Sequence, residues 1–257
     1  MTNSKTKIPC VHLICNAHLD PVWQWRWEEG CAEAISTFRN AAKLLREHDE
    51  LIFNHNEAVL YGWVKKYDPR LFREIQKLVE EGRWFVSGGW FLQPDLNLPG
   101  TESLIRQITE GLRFFRDHFN ARPRVAYNFD SFGHSCGLPQ MLRLAGYEMY
   151  IHMRPQHPDL ILPSDLYRWR GPDGTEINCL RISVGLYHTE YWNIEQRLQE
   201  GTEMALRLNR DVPVFWGIGN HGGGPTREDL KKIDSFAKKE ERVKIIHSTP
   251  DLFYEAV

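Results

Sequence analysis

The chain has 257 residues, 42% of them hydrophobic and 26% charged, with a formal net charge of -2. Such a length suits one large, barrel-sized core better than two small ones. Near-neutral charge, with Lys and Arg scattered among Glu and Asp, argues against nucleic acid or an anionic membrane surface as partner, and no run approaches the ~18 apolar residues of a membrane span. Cys10, Cys15, Cys31, Cys136 and Cys179 are odd in number and form no CxxC pair. With the polar start MTNSKTK and no signal-like segment, they point to free thiols in a reducing cytoplasm.

Residues 1–10 read as an N-terminal tail and 11–257 as the domain. VHLICNA, from Val11, is almost wholly apolar, the pattern of a strand buried on both faces of a parallel sheet. It runs into His18, Leu19 and Asp20, followed by Trp23, Trp25 and Trp27. A helix is expected over Glu28 to His48, a strand over Leu51 to Asn56, and helices over Ala58 to Lys66 and Arg70 to Glu81, stopped by Gly82. Strand RWFVSGGW ends in a Gly88-Gly89 break, and after the loop PDLNLPG, Thr101 is expected to cap a helix running to Phe119. Strand RVAYNFD ends in Asp130, a helix covers Leu138 to Ala145, and strand YEMYIHMR ends in Arg154. Beyond Pro155 the pattern weakens into a Pro-rich loop and two short antiparallel strands around the turn Pro172-Asp173-Gly174. A helix over Ile194 to Asn209 leads to strand VPVFWGIGN, the loop HGGGPT, a helix from Arg227 to Lys239, strand VKIIHS and a last helix from Pro250.

This β-then-α alternation predicts an α/β fold with a parallel sheet. His18 and Asp20, His55, Trp90 and Asp95, Asp130, Arg154, and Asn220 with His221 all follow the carboxyl ends of different strands. In a closed barrel those ends converge on one mouth, whereas an open sheet spreads them, so an imperfect (β/α) barrel of about seven strands is expected.

His18 and Asp20, two apart, can aim an imidazole nitrogen and a carboxylate at one point beyond the strand. A lone His-x-Asp is equally a structural pair. Three alternate tryptophans draw it towards sugar, whose C–H faces stack on indoles. Asp130 at the end of an apolar strand is costly unless a cation faces it, or else it caps the next turn; Arg154 offers such a cation. His18, Asp20 and Asp130 together supply one nitrogen and two carboxylates for a divalent ion, best zinc, with His221 or a group beyond Val257 as a fourth donor. HGGGPT lacks the lysine of a phosphate-cradling loop and fits either a close backbone approach to a ligand or a flexible loop. Trp63, Trp84, Trp169, Trp192 and Trp216 read as packing residues, and Cys136 as a buried structural thiol.

AHLDPVWQW, GGWFLQPDLNLPG, NFDSFGHS with Arg154 downstream, and GIGNHGGGPT, in this order, resemble the N-terminal catalytic domain of the family 38 glycoside hydrolases, the α-mannosidases, especially their bacterial and cytosolic branch. The resemblance spans nearly the whole chain from Val11. It implies a seven-stranded barrel, one zinc ion on His18, Asp20 and Asp130, Asp130 also as nucleophile, Trp23 stacked under the mannose, and Arg154 steadying Asp130. The metal would chelate the sugar's 2- and 3-hydroxyls, and hydrolysis would proceed with retention through a glycosyl-enzyme. Trp90 and Asp95 are further candidate substrate contacts, and the loops from Gln93 to Gly100 and from Arg154 to Asp165 candidates for a second sugar.

Many relatives carry an acid/base Asp where this chain has Gly219, Asn220 and His221, which leaves His221, or a group elsewhere in the chain, as the candidate. Family members usually continue into helical and β domains that bring a further zinc-binding His, so an isolated fragment is expected to be weakly active or inactive. Substrate is expected to be an α-mannoside or oligosaccharide, of unassigned linkage, and a homo-oligomer is allowed. A zinc-dependent carbohydrate deacetylase and a non-catalytic sugar-binding barrel are the rival readings.

Overall fold

In the computed structural model, residues 8–190, 193–219 and 221–257 are described. Residues 1–7, Trp192 and Asn220 therefore lie outside them. The elements run β1 (Cys10–Asn16), α1 (Trp27–Glu47), β2 (Phe53–His55), α2 (Ala58–Tyr67), α3 (Pro69–Glu80), β3 (Trp84–Val86), α4 (Thr101–Phe119), β4 (Val125–Asn128), α5 (Leu138–Leu144) and β5 (Met149–His152). They continue with β6 (Leu166–Arg170), β7 (Glu176–Arg181), α6 (Ile194–Leu208), β8 (Val212–Trp216), α7 (Arg227–Ala237), β9 (Lys244–His247) and α8 (Pro250–Ala256).

β1 is central and buried on both faces, as a strand between two layers must be. Val11, Leu13 and Cys15 pack with the helix-side core around Phe38, Tyr61 and Trp84. Ile14, pointing the other way, joins Val125, Tyr127, Phe129, Ile151 and Phe215 in an inner core. The same inner face carries His12, hydrogen-bonded to Ser248, and Asn16, whose amide donates to the Tyr187 carbonyl. On one edge β1 pairs in parallel with β8, Leu13 opposite Val214. Its other edge is shared: β9 takes the first half, with Val11 opposite Ile245, and β2 takes the end, with Cys15 opposite Phe53.

The expected barrel is not closed: among the described residues no continuous strand ladder joins its two sheets. One sheet has the order β3-β2-β1-β8 with β9 on β1, and a second has the order β4-β5-β7-β6, with β6 antiparallel to β7 as the Pro172-Asp173-Gly174 turn implied. Side chains bridge the seam between β3 and β4. The Trp90 indole donates to the Tyr127 carbonyl at 2.8 Å, Ser87 and Tyr127 hydroxyls meet at 2.7 Å, and Asn128 donates to the Pro94 carbonyl at 2.6 Å. Opposite, the Thr189 amide donates to the Gly217 carbonyl at 3.1 Å and the Gly217 amide to Thr189 Oγ1 at 3.1 Å. The inner core nevertheless spans both sheets.

Thr101 is the first helical residue of α4, not its cap; Gly100 occupies the cap with no side-chain bond. Trp84 and Trp216 are buried, Trp63 and Trp169 pack against the core, and Cys136 is an exposed thiol. Among the described residues no helix is long and apolar enough to cross a membrane.

Asp251, near the start of α8, accepts the Arg124 amide, and burial pushes its carboxyl up to about 6. A folded-state value above the unfolded one means the fold binds the extra proton, so this contribution is full below about pH 4 and lost as pH rises through about 6. Chemical denaturation at pH 4.5 and pH 7 is therefore expected to show Asp251→Asn gaining stability relative to wild type at the higher pH; an unchanged difference would contradict the assignment.

Candidate active site

Backbone contacts set the end of β1 against the exit of β8. Gly217 has φ +114°, and a Cβ there would lie 2.1 Å from the Asn16 carbonyl oxygen; one on Gly219 would lie 2.8 Å from the His18 nitrogen. Only glycine lets the two segments run this close. The contact holds the β8 exit against His18, and His221 Nδ1 lies 3.6 Å from Asp20 Oδ2, while His18 Nε2 lies 3.3 Å from Asp20 Oδ1. Asp20 thus stands between two imidazoles. The Trp25 indole donates to the Asp20 carbonyl at 3.1 Å and fixes the turn. Trp23 stacks on His221 at 4.4 Å with 19° between the planes, yet is 54% exposed.

His18, Asp20, Trp23, Asp95 and Asp130 line one cleft of about 260 Å³, together with Gln93, Pro94, Asn128, Ser131 and Phe132. It is neither the largest hollow in the molecule nor an apolar one; a larger hollow near Gln76, Arg116 and Asp251 holds none of these residues. Arg154 Nε donates to Asp130 Oδ1 at 2.7 Å, and its guanidinium lies 4.8 Å from the Phe132 ring. Half-exposed and bidentate in capability, the arginine keeps Asp130 company as an ion pair open to solvent on one side.

His18 is buried, which works against an imidazolium, but Asp20, Glu57 and Asp130 around it raise its pKa above the usual histidine value. Both of its ring nitrogens lack a hydrogen bond; the Asp20 approach is an ion-pair distance without hydrogen-bond geometry. A buried nitrogen without a partner, in a field that favours positive charge, and beside carboxylate oxygens, fits a divalent cation of borderline softness. The fit is incomplete, because no three His, Cys, Asp or Glu side chains among the described residues converge as a ready cage. His18 and Asp20 meet, whereas Asp130 is turned to Arg154.

Other expected site residues lie elsewhere. Trp90 is fully buried and holds the β3–β4 seam, so it backs the cleft and does not line it. His55 packs among Phe38, Phe53 and Tyr61. His221 is not in the cleft wall; it stands beside Asp20. Asp95 does line the cleft while its Oδ1 accepts the Asn97 and Leu98 amides. The glycine loop is tied down: the Gly223 amide donates to Thr37 Oγ1, and Asn40 donates to the Gly223 and Pro225 carbonyls.

Phe132 and Glu57 were not singled out as site residues by their sequence context, and Gln93 only as the start of a candidate sugar-binding loop. Phe132, 75% exposed directly after the strand-end Asp, carried a readable signal. Glu57 carried little: its backbone sits at φ +73°, its carboxylate accepts the Gln93 amide at 3.2 Å, and burial pushes its carboxyl up to about 7. Gln93 in turn accepts the Phe129 amide at 2.9 Å, next to Asp130.

An exposed indole, two carboxylates and a guanidinium held on one of them thus gather after the carboxyl ends of parallel strands. The chain belongs to the family described as glycosyl hydrolases family 38, N-terminal domain, whose model matches residues 9–257. It is 26% identical over 246 residues to alpha-mannosidase G of Dictyostelium discoideum, covering 95% of this chain and 23% of that protein. It is also 26% identical over 251 residues to alpha-mannosidase 2C1 of Homo sapiens, covering 96% and 24%. The chain therefore spans about a quarter of the length of these curated relatives. The crystal structure of an alpha-mannosidase from Enterococcus faecalis V583 superposes with TM-score 0.82 at 20% identity, over 97% of this chain and 29% of that one. A putative polysaccharide deacetylase from Mycobacterium smegmatis shares the fold with TM-score 0.64 at 11% identity, over 100% and 92%.

Proposed function

We propose that this chain forms the catalytic domain of a zinc-dependent retaining α-mannosidase, with residues 11–257 as one domain working beside further C-terminal helical and β domains. The observation that carries the reading is the Arg154-held Asp130 carboxylate, placed in one cleft with His18, Asp20 and the exposed face of Trp23. Family membership supports glycoside hydrolysis, and the named α-mannosidases support the sugar.

In this mechanism Trp23 stacks on the C–H face of the mannosyl unit and Asp95 bonds a hydroxyl. His18, Asp20 and Asp130 would hold zinc, with His221 as an added donor through Asp20; the bound ion supplies orientation of the sugar diol and charge stabilisation. Arg154 holds Asp130 aimed through its 2.7 Å hydrogen bond. Asp130 attacks the anomeric carbon as the glycosidic bond breaks, the aglycone oxygen takes a proton from a general acid, for which His221 is the candidate, and leaves as an alcohol; water later opens the Asp130 ester, returning its proton to that group, with net retention. Free thiols at Cys15, Cys31, Cys136 and Cys179 favour a reducing compartment, the cytoplasm. The fold likeness to a deacetylase supports no chemistry of its own.

The test is release of aryl alcohol from an aryl α-mannoside by the full-length protein carrying this chain, with zinc and after chelation. Zinc-dependent release is expected. Its absence in folded, zinc-loaded protein, or acetate release from an N-acetylated sugar instead, would overturn the proposal. Independently of turnover, removing zinc is expected to lower the melting temperature, because ligand bound only to the fold stabilises it by about 2.7 kcal/mol at one hundred times Kd. In Asp20→Ala that zinc-linked shift should vanish.

A further inference from the structure

Arg154 is held at both ends, and only one end is explained by the site. Its guanidinium is on Asp130, while its backbone carbonyl oxygen receives two imidazoles: His134 Nε2 at 2.7 Å and His152 Nδ1 at 2.8 Å. A carbonyl only accepts, so each of those nitrogens carries the hydrogen. The remaining nitrogens then accept. Tyr167 donates its hydroxyl to His152 Nε2 at 2.7 Å, and Tyr150 donates to His134 Nδ1 at 3.1 Å. Every polar atom in this set is satisfied, both lone pairs of the carbonyl are used, and the two rings sit 5.0 Å apart at 68°.

We propose that His134 and His152 are positioning residues, neutral and in opposite tautomers, which grip the Arg154 carbonyl so that its guanidinium stays on Asp130. His152 and Tyr150 belong to β5, Tyr167 to β6, and His134 to the segment after Asp130, so the grip ties the strand bearing Arg154 to the loop bearing the nucleophile. Burial lowers both imidazole pKa values, that of His152 to about 3, which agrees with two neutral rings side by side. The charged neighbours are Asp95 beside His134 and Arg181 beside His152. An arginine backbone left free at this point would let the guanidinium drift, and loss of alignment of about 1 Å at a reacting group costs on the order of a hundredfold in rate.

The catalytic part of this inference rests on Asp130 acting as nucleophile; the tautomer part does not. Long-range ¹⁵N NMR of histidine-labelled protein at pH 7 is expected to show His152 protonated on Nδ1 and His134 on Nε2, neither as an imidazolium. The reverse tautomer in either ring, or a charged ring, overturns the grip whatever the activity.

In the full-length protein, His152→Leu and His134→Leu are expected to lower kcat roughly tenfold to a hundredfold with little change in KM. His152→Asn and His134→Gln, which return an N–H near the lost position, should recover most of it. In an Arg154→Lys background the His152→Leu loss should largely disappear, as expected for residues acting through one group. Full kcat in the leucine variants while Asp130→Asn is inactive would sink the positioning role alone. A wild type whose turnover ignores Asp130 would sink the mannosidase mechanism and with it the catalytic part, leaving the NMR result to decide the grip. Should the leucine variants not fold, the wild-type spectrum and the amide-bearing variants carry the decision.

Discussion

Replacing Asp130 by alanine is expected to reduce aryl α-mannoside hydrolysis by roughly four orders of magnitude, about 5.5 kcal/mol of barrier, while leaving the fold intact. The two effects separate because they have different sources. Catalysis through a covalent intermediate has no route without the nucleophile, and the remaining Trp23 face and cationic groups only bind. Stability loses a partly exposed ion pair, whose side chains are 41% exposed at Arg154 and 26% at Asp130, and such pairs contribute about 0–1 kcal/mol. Turnover and thermal melting on the same samples decide the matter. In wild type, a ring-fluorinated mannoside that is slowly released should leave a fluorohexosyl mass on the peptide containing Asp130. A variant retaining a tenth of the activity, or an adduct on another peptide, would remove Asp130 from that role.

Gly30→Ala is expected to destabilise the protein by about 3 kcal/mol, a fall of roughly 10 °C in melting temperature at this chain length. In isolation the change favours α1, since alanine is about 1 kcal/mol better than glycine inside a helix. Packing reverses the sign. A Cβ on Gly30 would lie 2.1 Å from the Pro21 carbonyl oxygen and 2.8 Å from its carbon, both backbone atoms with no rotamer to escape through. Pro21 follows Asp20, so relief of the clash moves the turn that the Trp25 indole fixes, and zinc-linked stabilisation should weaken with it. Gly62→Ala in α2 is the control: nothing lies within 4 Å of its added Cβ, and a gain of about 0.5–1 kcal/mol is expected. If both substitutions stabilised alike, the close approach of α1 to the Asp20 turn would be wrong.

Much of the site was readable because strand ends are readable. His18, Asp20, Asp130 and Arg154 each interrupt or follow an apolar run, where a charged or metal-binding group needs a reason to be, and the structure brings the first three to one cleft with Arg154 on Asp130. Trp23 is exposed there as an indole beside a polar pair suggests. Position along a strand end does not say which way a side chain turns. His55 and Trp90 met the same criterion as Asp130, yet aromatic neighbours and the Tyr127 carbonyl draw them inward. His221 was ambiguous between donor and acid, and its stacking on Trp23 and approach to Asp20 are contacts that no local pattern announces.

By itself the sequence determined the alternation of strands and helices, the double-faced burial of β1, and which carboxylates and imidazoles stand at strand ends, because periodicity and charge placement act locally. Tertiary structure alone decided how the seams are joined. β3 and β4 meet through Trp90, Ser87, Asn128 and Gln93 and not through a backbone ladder, and pairing between distant strands leaves no local period to read. It also decided the roles of His134 and His152. Their tautomers follow from a shared acceptor, the Arg154 carbonyl, that any residue's backbone would present equally in a linear sequence.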